Sequence, residues 1–405
     1  MRLLLLSILC FFCSCVLWGQ DANGTLAEYD KAILADSMNV KNYVERGAFY
    51  MDLGKYEQAL EDFNRVLALD STAFQVLSNR GLTYYNLGDY DNALKDYDKA
   101  LEEKYFYVDV LWGRGNVYRE IGEFAAALDD YTDGLKIDPE NVSLLLNRGN
   151  LYYDLKDYDR ALGDFNKVLD LDAKFMSGYL NRGNVYLDLK EYKKALKDYE
   201  KVVKLDDKET KVFSNMGLAY SGMGNYEKAI EYFDKVVVLN DGYVTGIYNR
   251  GKAYYDFGKY EKALEDYNKC IELDGEAAFF YYERGRLYQH TDEADKAFKD
   301  YDKALELSPT YERVHLQKGL LYATLGEYDK ALVNYTKGIE LNAENEWSFL
   351  QRGKVYYEKE MYDKALADFN EAITLEPNYE KALMKRGSCY LNADEYHKAL
   401  ADYEK

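Results

Sequence analysis

Residues 142–175 read VSLLLNRGNLYYDLKDYDRALGDFNKVLDLDAKF. Leu145, Gly149 and Tyr152 recur at helical spacing, and so do Tyr158, Ala161, Phe165, Val168 and Leu169. Two apolar stripes separated by a short polar break predict two helices joined by a turn. Taking Gly149 as position 8, the break falls at position 15. Gly54, Gly88, Gly122, Gly224, Gly258 and Gly326 stand at the same position elsewhere in the chain. Glycine there permits the left-handed cap that ends a helix.

The same 34 residues return along the chain. Glycines recur at Gly47, Gly81, Gly115, Gly149, Gly183, Gly217, Gly251, Gly285, Gly319, Gly353 and Gly387, always 34 apart. Each is followed by tyrosine three residues on, alanine twelve on, and Phe or Tyr sixteen on. A strict period of this length is the mark of a helical hairpin array. All three prolines, Pro139, Pro309 and Pro377, fall at position 32, where they stop the second helix.

The spacing Gly-x2-Tyr, then Ala, then Phe/Tyr and Pro resembles the tetratricopeptide repeat over residues 40–405, as eleven repeats with the last incomplete. The resemblance implies an all-α solenoid, a right-handed superhelix of antiparallel helix pairs whose first helix (A) lines a concave groove. Residues 21–39 hold a half-repeat, with Glu28–Leu34 matching a second helix (B) that caps the array. The chain stops at position 26 of its last repeat, which suggests truncation or an end that meets a partner.

Composition then acquires causes. Of 43 tyrosines, 27 lie at positions 11, 17 and 24, on faces expected to pack. Position 7 is arginine in nine repeats, and position 23 is aspartate in the same nine. The two exceptions change together, Met216 with Tyr232 and Lys318 with Asn334. A hairpin centred on position 15 sets these positions opposite each other, so a repeated Arg–Asp pair is predicted between helix A and helix B. A half-buried pair of this kind costs about 3 kcal/mol or less to break.

Sites for chemistry are absent from the pattern. No phosphate loop, HExxH helix or CxxC pair occurs, and His290, His315 and His397 sit at unrelated phases. Neither an enzyme nor a cofactor is expected. A net charge of −20 argues against nucleic acid. Residues 1–20, with Arg2 ahead of an apolar run from Leu3 to Trp18, read as a secretory signal cleaved near Gly19 or Gln20. Export to the periplasm or medium is therefore expected. An uncleaved anchor, or lipid on Cys15, would give membrane attachment instead. Cys270 and Cys389 are too far apart in sequence to make a disulfide scaffold, and Cys270 replaces a small buried residue.

By the same resemblance, positions 2, 5, 6, 9, 12 and 13 face the groove. Asn79, Asn147, Asn181, Asn215 and Asn249 occupy position 6, and Asn116, Asn150 and Asn184 occupy position 9. This looks like the asparagine ladder with which some family members grip an extended peptide, since an amide both donates and accepts. The alternative is that asparagine is a common consensus residue there. The chaperone carboxylate clamp needs Lys at position 5, which no repeat has. Groove positions carry Glu45, Asp52, Asp109, Glu120, Asp154 and Asp188 against Lys41 and Arg119 early, and Lys252, Arg286, Arg313, Lys354, Lys381 and Lys385 against Asp256, Glu283 and Glu358 late. Such polarity would steer and orient a partner. Tyr248, Tyr255, Phe279 and Tyr282 form a candidate hot spot, at which Tyr282→Ala should weaken binding without unfolding. The expected function is a non-enzymatic scaffold binding an extended peptide or protein segment. A structural subunit of an envelope or secretion assembly is one rival. An accessory module of an enzyme whose catalytic part lies beyond Lys405 is another.

Overall fold

A computed structural model describes residues 22–103, 107–206 and 209–405. The signal assigned to residues 1–20, with Cys15, lies outside them. Among the described residues there are twenty-three helices and no strand. They form an all-α solenoid of hairpins, grouped in two compact bodies that end at Leu205 and begin at Asp206. Both bodies are built from the same repeat. In repeat 4, helix A is Val142–Asp154 and helix B is Tyr158–Leu171. Helix B of the last repeat is short, Tyr396–Tyr403. A preceding helix, Ala22–Ala35, occupies the place of a helix B, and its Asp30 accepts from Arg46 at 2.6 Å.

Helix A ends the same way eleven times. The position-16 N–H donates to the position-11 carbonyl at 2.8–2.9 Å, as Asp157 does to Tyr152. This closure requires positive φ at position 15. The six glycines take it, and so do Lys156, Lys190, Asp292, Glu360 and Asp394, with φ of 57–60°. The glycine pattern in the sequence revealed only the first group. A Cβ at Gly54 would meet nothing within 4 Å, so backbone conformation alone selects glycine. A side chain in this conformation costs about 1 kcal/mol. Glu360→Gly should therefore raise stability by about that amount, read as a higher urea midpoint; an unchanged midpoint would show that the side chain offsets the strain.

The core of each hairpin is an aromatic ring set against glycine. Position-20 alanines are fully buried, as are the position-24 rings of Phe63, Phe165, Tyr131 and Tyr199. A Cβ at Gly149 would lie 2.7 Å from the Phe165 ring, and equivalent contacts recur in every repeat. Position 11 departs from the expected core role. Most of its tyrosines are half-buried, and in seven repeats the ring lies over the position-7 arginine, as Tyr152 does 5.8 Å from Arg148. Position 10, silent in the sequence reading, is buried in repeats 2 through 11, with Leu151 and Val185 among its residues.

The predicted Arg–Asp pair is present in all nine repeats as a two-pronged bond. Arg148 Nε donates to Asp164 Oδ2 at 2.8 Å and Nη2 to Oδ1 at 2.7 Å. A third bond escaped the sequence. Arg Nη1 reaches position 25 of the preceding helix B, on Asp98 from Arg114, Asn166 from Arg182 and Thr132 from Arg148. The arginine thus ties its own hairpin together and fastens it to the one before. Burial pushes the Asp130, Asp266 and Asp368 carboxyls up, with the guanidinium pulling the other way. In these three repeats desolvation offsets part of the attraction within the pair. Cys270 and Cys389 are buried free thiols, pushed up by that burial to about 12 and about 11. Neither is a thiolate near neutral pH.

Candidate functional site

Within each body, helices A of most successive repeats touch one another, whereas helices B pack mainly against helices A. The stack therefore closes on its helix A side, which makes the A faces the inner surface. Which side chains reach that surface follows from the burial of the opposite stripe, positions 8 and 10, against helix B.

In the first body, part of the asparagine set is linked between repeats. Asn147 Nδ2 donates to Asn116 Oδ1 and Asn181 Nδ2 to Asn150 Oδ1, both at 2.7 Å. Asn116 also accepts from the Tyr131 hydroxyl at 2.7 Å, and Asn184 accepts from Tyr199 at 2.9 Å. Position 6 of one repeat thus meets position 9 of the one before, and in repeat 3 the Tyr131 hydroxyl also holds the linked Asn116 amide. The Oδ1 atoms of Asn147 and Asn181 accept no hydrogen bond among the described residues. Asn79 and Asn249 are half-buried and bond to no other member of the set. Asn215, in the second body, is also half-buried.

Charges on the A faces are partly neutralised in place. Lys41 lies 3.5 Å from Glu45 and Arg119 lies 2.9 Å from Glu120. Partial desolvation pushes the Asp52 and Asp109 carboxyls up, though both residues are exposed. In the second body Lys252 pairs with Asp256 at 2.8 Å, and Arg286 with Glu283 at 3.0 Å. Burial pushes the Glu283 carboxyl up, against the pull of Arg286, Lys252 and Arg313.

The aromatic group of repeats 7 and 8 does assemble, with one correction. Tyr248 meets Phe279 edge-on at 4.9 Å, and Tyr255 lies 5.5 Å from His290, whose Nε2 is 2.7 Å from the Tyr260 hydroxyl. The Arg286 guanidinium sits 6.0 Å from the Tyr255 ring and 5.8 Å from Tyr282. Tyr282 itself is only 6% exposed and packs on Tyr311 at 5.3 Å. It is part of the core beneath the face, so removing its ring would cost stability and is no clean test of binding. Position 5 places a residue near the groove, but the neighbouring Tyr301 and Tyr311 cover this one. No group of His, Cys, Asp and Glu that could hold a metal occurs among the described residues.

Comparison with protein families matches the Tetratricopeptide repeat at residues 74–104, 142–175, 177–209, 210–243, 245–276, 278–311 and 347–379. The TPR repeat matches at 47–88, 115–156 and 319–360. Comparison with curated proteins gives no match. Among solved structures, yeast Tom70 is similar over 93% of this chain and 91% of its own, at 20% identity and a TM-score of 0.51. That likeness is one of fold. A tetratricopeptide repeat protein from Parabacteroides merdae is 21% identical, covering 68% of this chain and 95% of its own at a TM-score of 0.43. MamA from Desulfovibrio magneticus RS-1 is 26% identical over 42% of this chain and 96% of its own, at a TM-score of 0.40. A 34-residue helical hairpin repeated eleven times, with family matches running from residue 47 to 379, leaves no other assignment: the chain belongs to the tetratricopeptide repeat family.

Proposed function

We propose that this protein-interaction scaffold is non-enzymatic and holds an extended peptide or protein segment along its helix A face. The observation that carries the reading is the pair of amide links, Asn147 to Asn116 and Asn181 to Asn150. Each link fixes the orientation of an amide while leaving a carbonyl oxygen for an outside donor. An extended backbone presents N–H groups that suit such acceptors. The aromatic floor of Tyr248, Tyr255 and Phe279 supports the reading by offering apolar contact in the second body.

Crosslinking in intact cells, followed by affinity measurement, tests this. Asn147→Ala with Asn181→Ala should weaken a captured segment by roughly thirtyfold, since each of the two lost hydrogen bonds is worth about 1 kcal/mol. The circular dichroism spectrum should be unchanged. A segment indifferent to both changes would point to helix edges instead.

The reading also places the scaffold outside the cytoplasm, on the strength of the apolar run Leu3–Trp18. No helix among the described residues is long and apolar enough to cross a membrane. Mature protein beginning near Gly19 or Gln20 in an extracytoplasmic fraction is the expected outcome; full-length protein in the cytoplasm would overturn this part.

A further inference from the structure

Helix B of repeat 5, Tyr192–Leu205, buries Ala195, Leu196, Asp198, Tyr199 and Val202 against the rest of the first body. Lys193, Lys197, Lys201 and Lys204 lie on the opposite side, all exposed, in one stripe about 16 Å long. They hold positions 18, 22, 26 and 29. In every other repeat from 1 to 10, at least one of these positions carries a carboxylate.

Repeats 7, 8 and 9 use positions 26 and 29 as an ion pair across one turn. Lys269 meets Glu272 at 3.1 Å, Lys303 meets Glu306 at 2.9 Å, and Lys337 meets Glu340 at 3.0 Å. Repeat 3 reverses the signs, with Asp133 and Lys136 2.7 Å apart. Repeat 5 sets Lys201 against Lys204 instead. None of its four lysines makes an ion pair or a hydrogen bond among the described residues. One carboxylate, Glu200, shares the stripe, and the neighbouring Lys194 pairs with Glu191. Like charges one turn apart oppose each other on a helix, so an anion laid along the stripe relieves a strain that the fold itself leaves standing.

The stripe offers ammonium groups alone. It has no aromatic ring on which a single-stranded base could stack, and no apolar anchor of the kind that centres a protein interface. It has no arginine for two-pronged bonds to a shaped phosphate or carboxylate site. Mobile point charges in a row suit a broad anionic plane whose own groups move to meet them. We propose that the outer face of helix B in repeat 5 docks on an anionic lipid bilayer, with Lys193, Lys197, Lys201 and Lys204 among the headgroups and no side chain inserted below them. The net charge of −20 opposes approach only beyond the Debye length, about 8 Å at physiological salt, and the lysines meet the surface inside it. Every reading of the apolar run Leu3–Trp18, as signal, anchor or lipid-bearing segment, also brings the chain to a bilayer. This contact is independent of the groove reading, because it uses the side of the hairpin turned away from helix A.

Vesicle flotation of the full chain tests this, with vesicles of phosphatidylcholine alone and of equal parts phosphatidylglycerol and phosphatidylcholine. Residues 1–20 bring apolar affinity to both vesicles, so the readout is the ratio of uptake between them. The anionic vesicles should take up at least about tenfold more chain, and added salt should reduce the excess. Changing Lys193, Lys197, Lys201 and Lys204 together to Gln should abolish it. The matched control changes Lys235, Lys269, Lys303 and Lys337 to Gln, all helix B lysines already paired with a glutamate, and should keep it. Thermal melts no lower than that of the parent chain show that the four-lysine variant folds. Equal uptake by the two vesicles, an excess that survives loss of the four lysines, or an equal loss in the control overturns the proposal. A dependence on the four lysines seen with a short DNA duplex or an amidated Glu-rich peptide, but not with vesicles, assigns the face to a soluble polyanion and overturns it too.

Discussion

Arg148→Ala should destabilise the chain by about 3 kcal/mol, whereas Arg148→Met combined with Asp164→Tyr should recover most of that loss. The single change deletes both prongs on Asp164 and the bond to Thr132 of the preceding repeat. Asp164 is buried in the folded hairpin, so its carboxylate is left desolvated with no cation to answer it. Most of the cost arises from that orphaned charge. The double change removes the charge along with its partner. Repeat 6 already uses this solution: Met216 is buried, and the Tyr232 ring stacks on Tyr220 at 5.5 Å with an interplanar angle of 11°. Tyr152 in repeat 4 offers the new tyrosine an equivalent surface. A double-mutant cycle by urea denaturation should therefore give a large positive coupling. A single variant no worse than an exposed Lys→Ala, or a double variant worse than the single, would refute the account.

The same arginine shows how far the sequence could be read. Eleven copies of one hairpin act as their own comparison, and the joint change of positions 7 and 23 marks their contact in the sequence. Position 25 gave no such signal. Asp98, Thr132, Asn166 and Asp234 all accept from the guanidinium of the next repeat, so chemistry is kept while residue type varies. Position 15 failed for the opposite reason. Its conformation is kept eleven times, but only six residues announce it.

The candidate site was legible in outline and misread in detail. Helical phase set the asparagines on one side of helix A, and there Asn147 meets Asn116 and Asn181 meets Asn150. Phase could not say that Tyr282 is roofed by Tyr311, because that depends on a loop side chain of the same repeat. Nor could it separate charges that are spent locally from those that are available. Lys252 and Lys354 both stand at position 9, yet Lys252 is tied to Asp256 four residues on. Lys354 has Glu358 at the same spacing, and no ion pair forms between them. What a residue offers a ligand depends on which neighbour its rotamer reaches, and spacing alone does not determine that.

Two glycines of repeat 4 should respond to alanine with opposite signs. Gly149→Ala should destabilise by about 2 kcal/mol, because the new methyl would stand 2.7 Å from a ring that has no room to retreat. Phe165 is fully buried, with Ala161 and Tyr152 packed in the same cluster. Either the ring leaves its rotamer or helix A moves off helix B, and helix A cannot shift without disturbing the Arg148–Asp164 bond on its neighbouring position. Gly163→Ala should instead stabilise by about 0.5–1 kcal/mol. It lies inside helix B with nothing within 4 Å of the added methyl, so the change removes only the backbone freedom that glycine has when unfolded. Urea midpoints of the two variants check the contrast, and hydrogen exchange in repeat 4 locates it. In a stack where each repeat contacts only its neighbours, the Gly149 effect should reach repeats 3 and 5 and fade beyond them. Destabilisation by both variants would mean that helix B tolerates no added surface at Gly163. Neutrality of Gly149→Ala would mean that the hairpin can part by a methyl group, and the aromatic ring would then not be what sets its spacing.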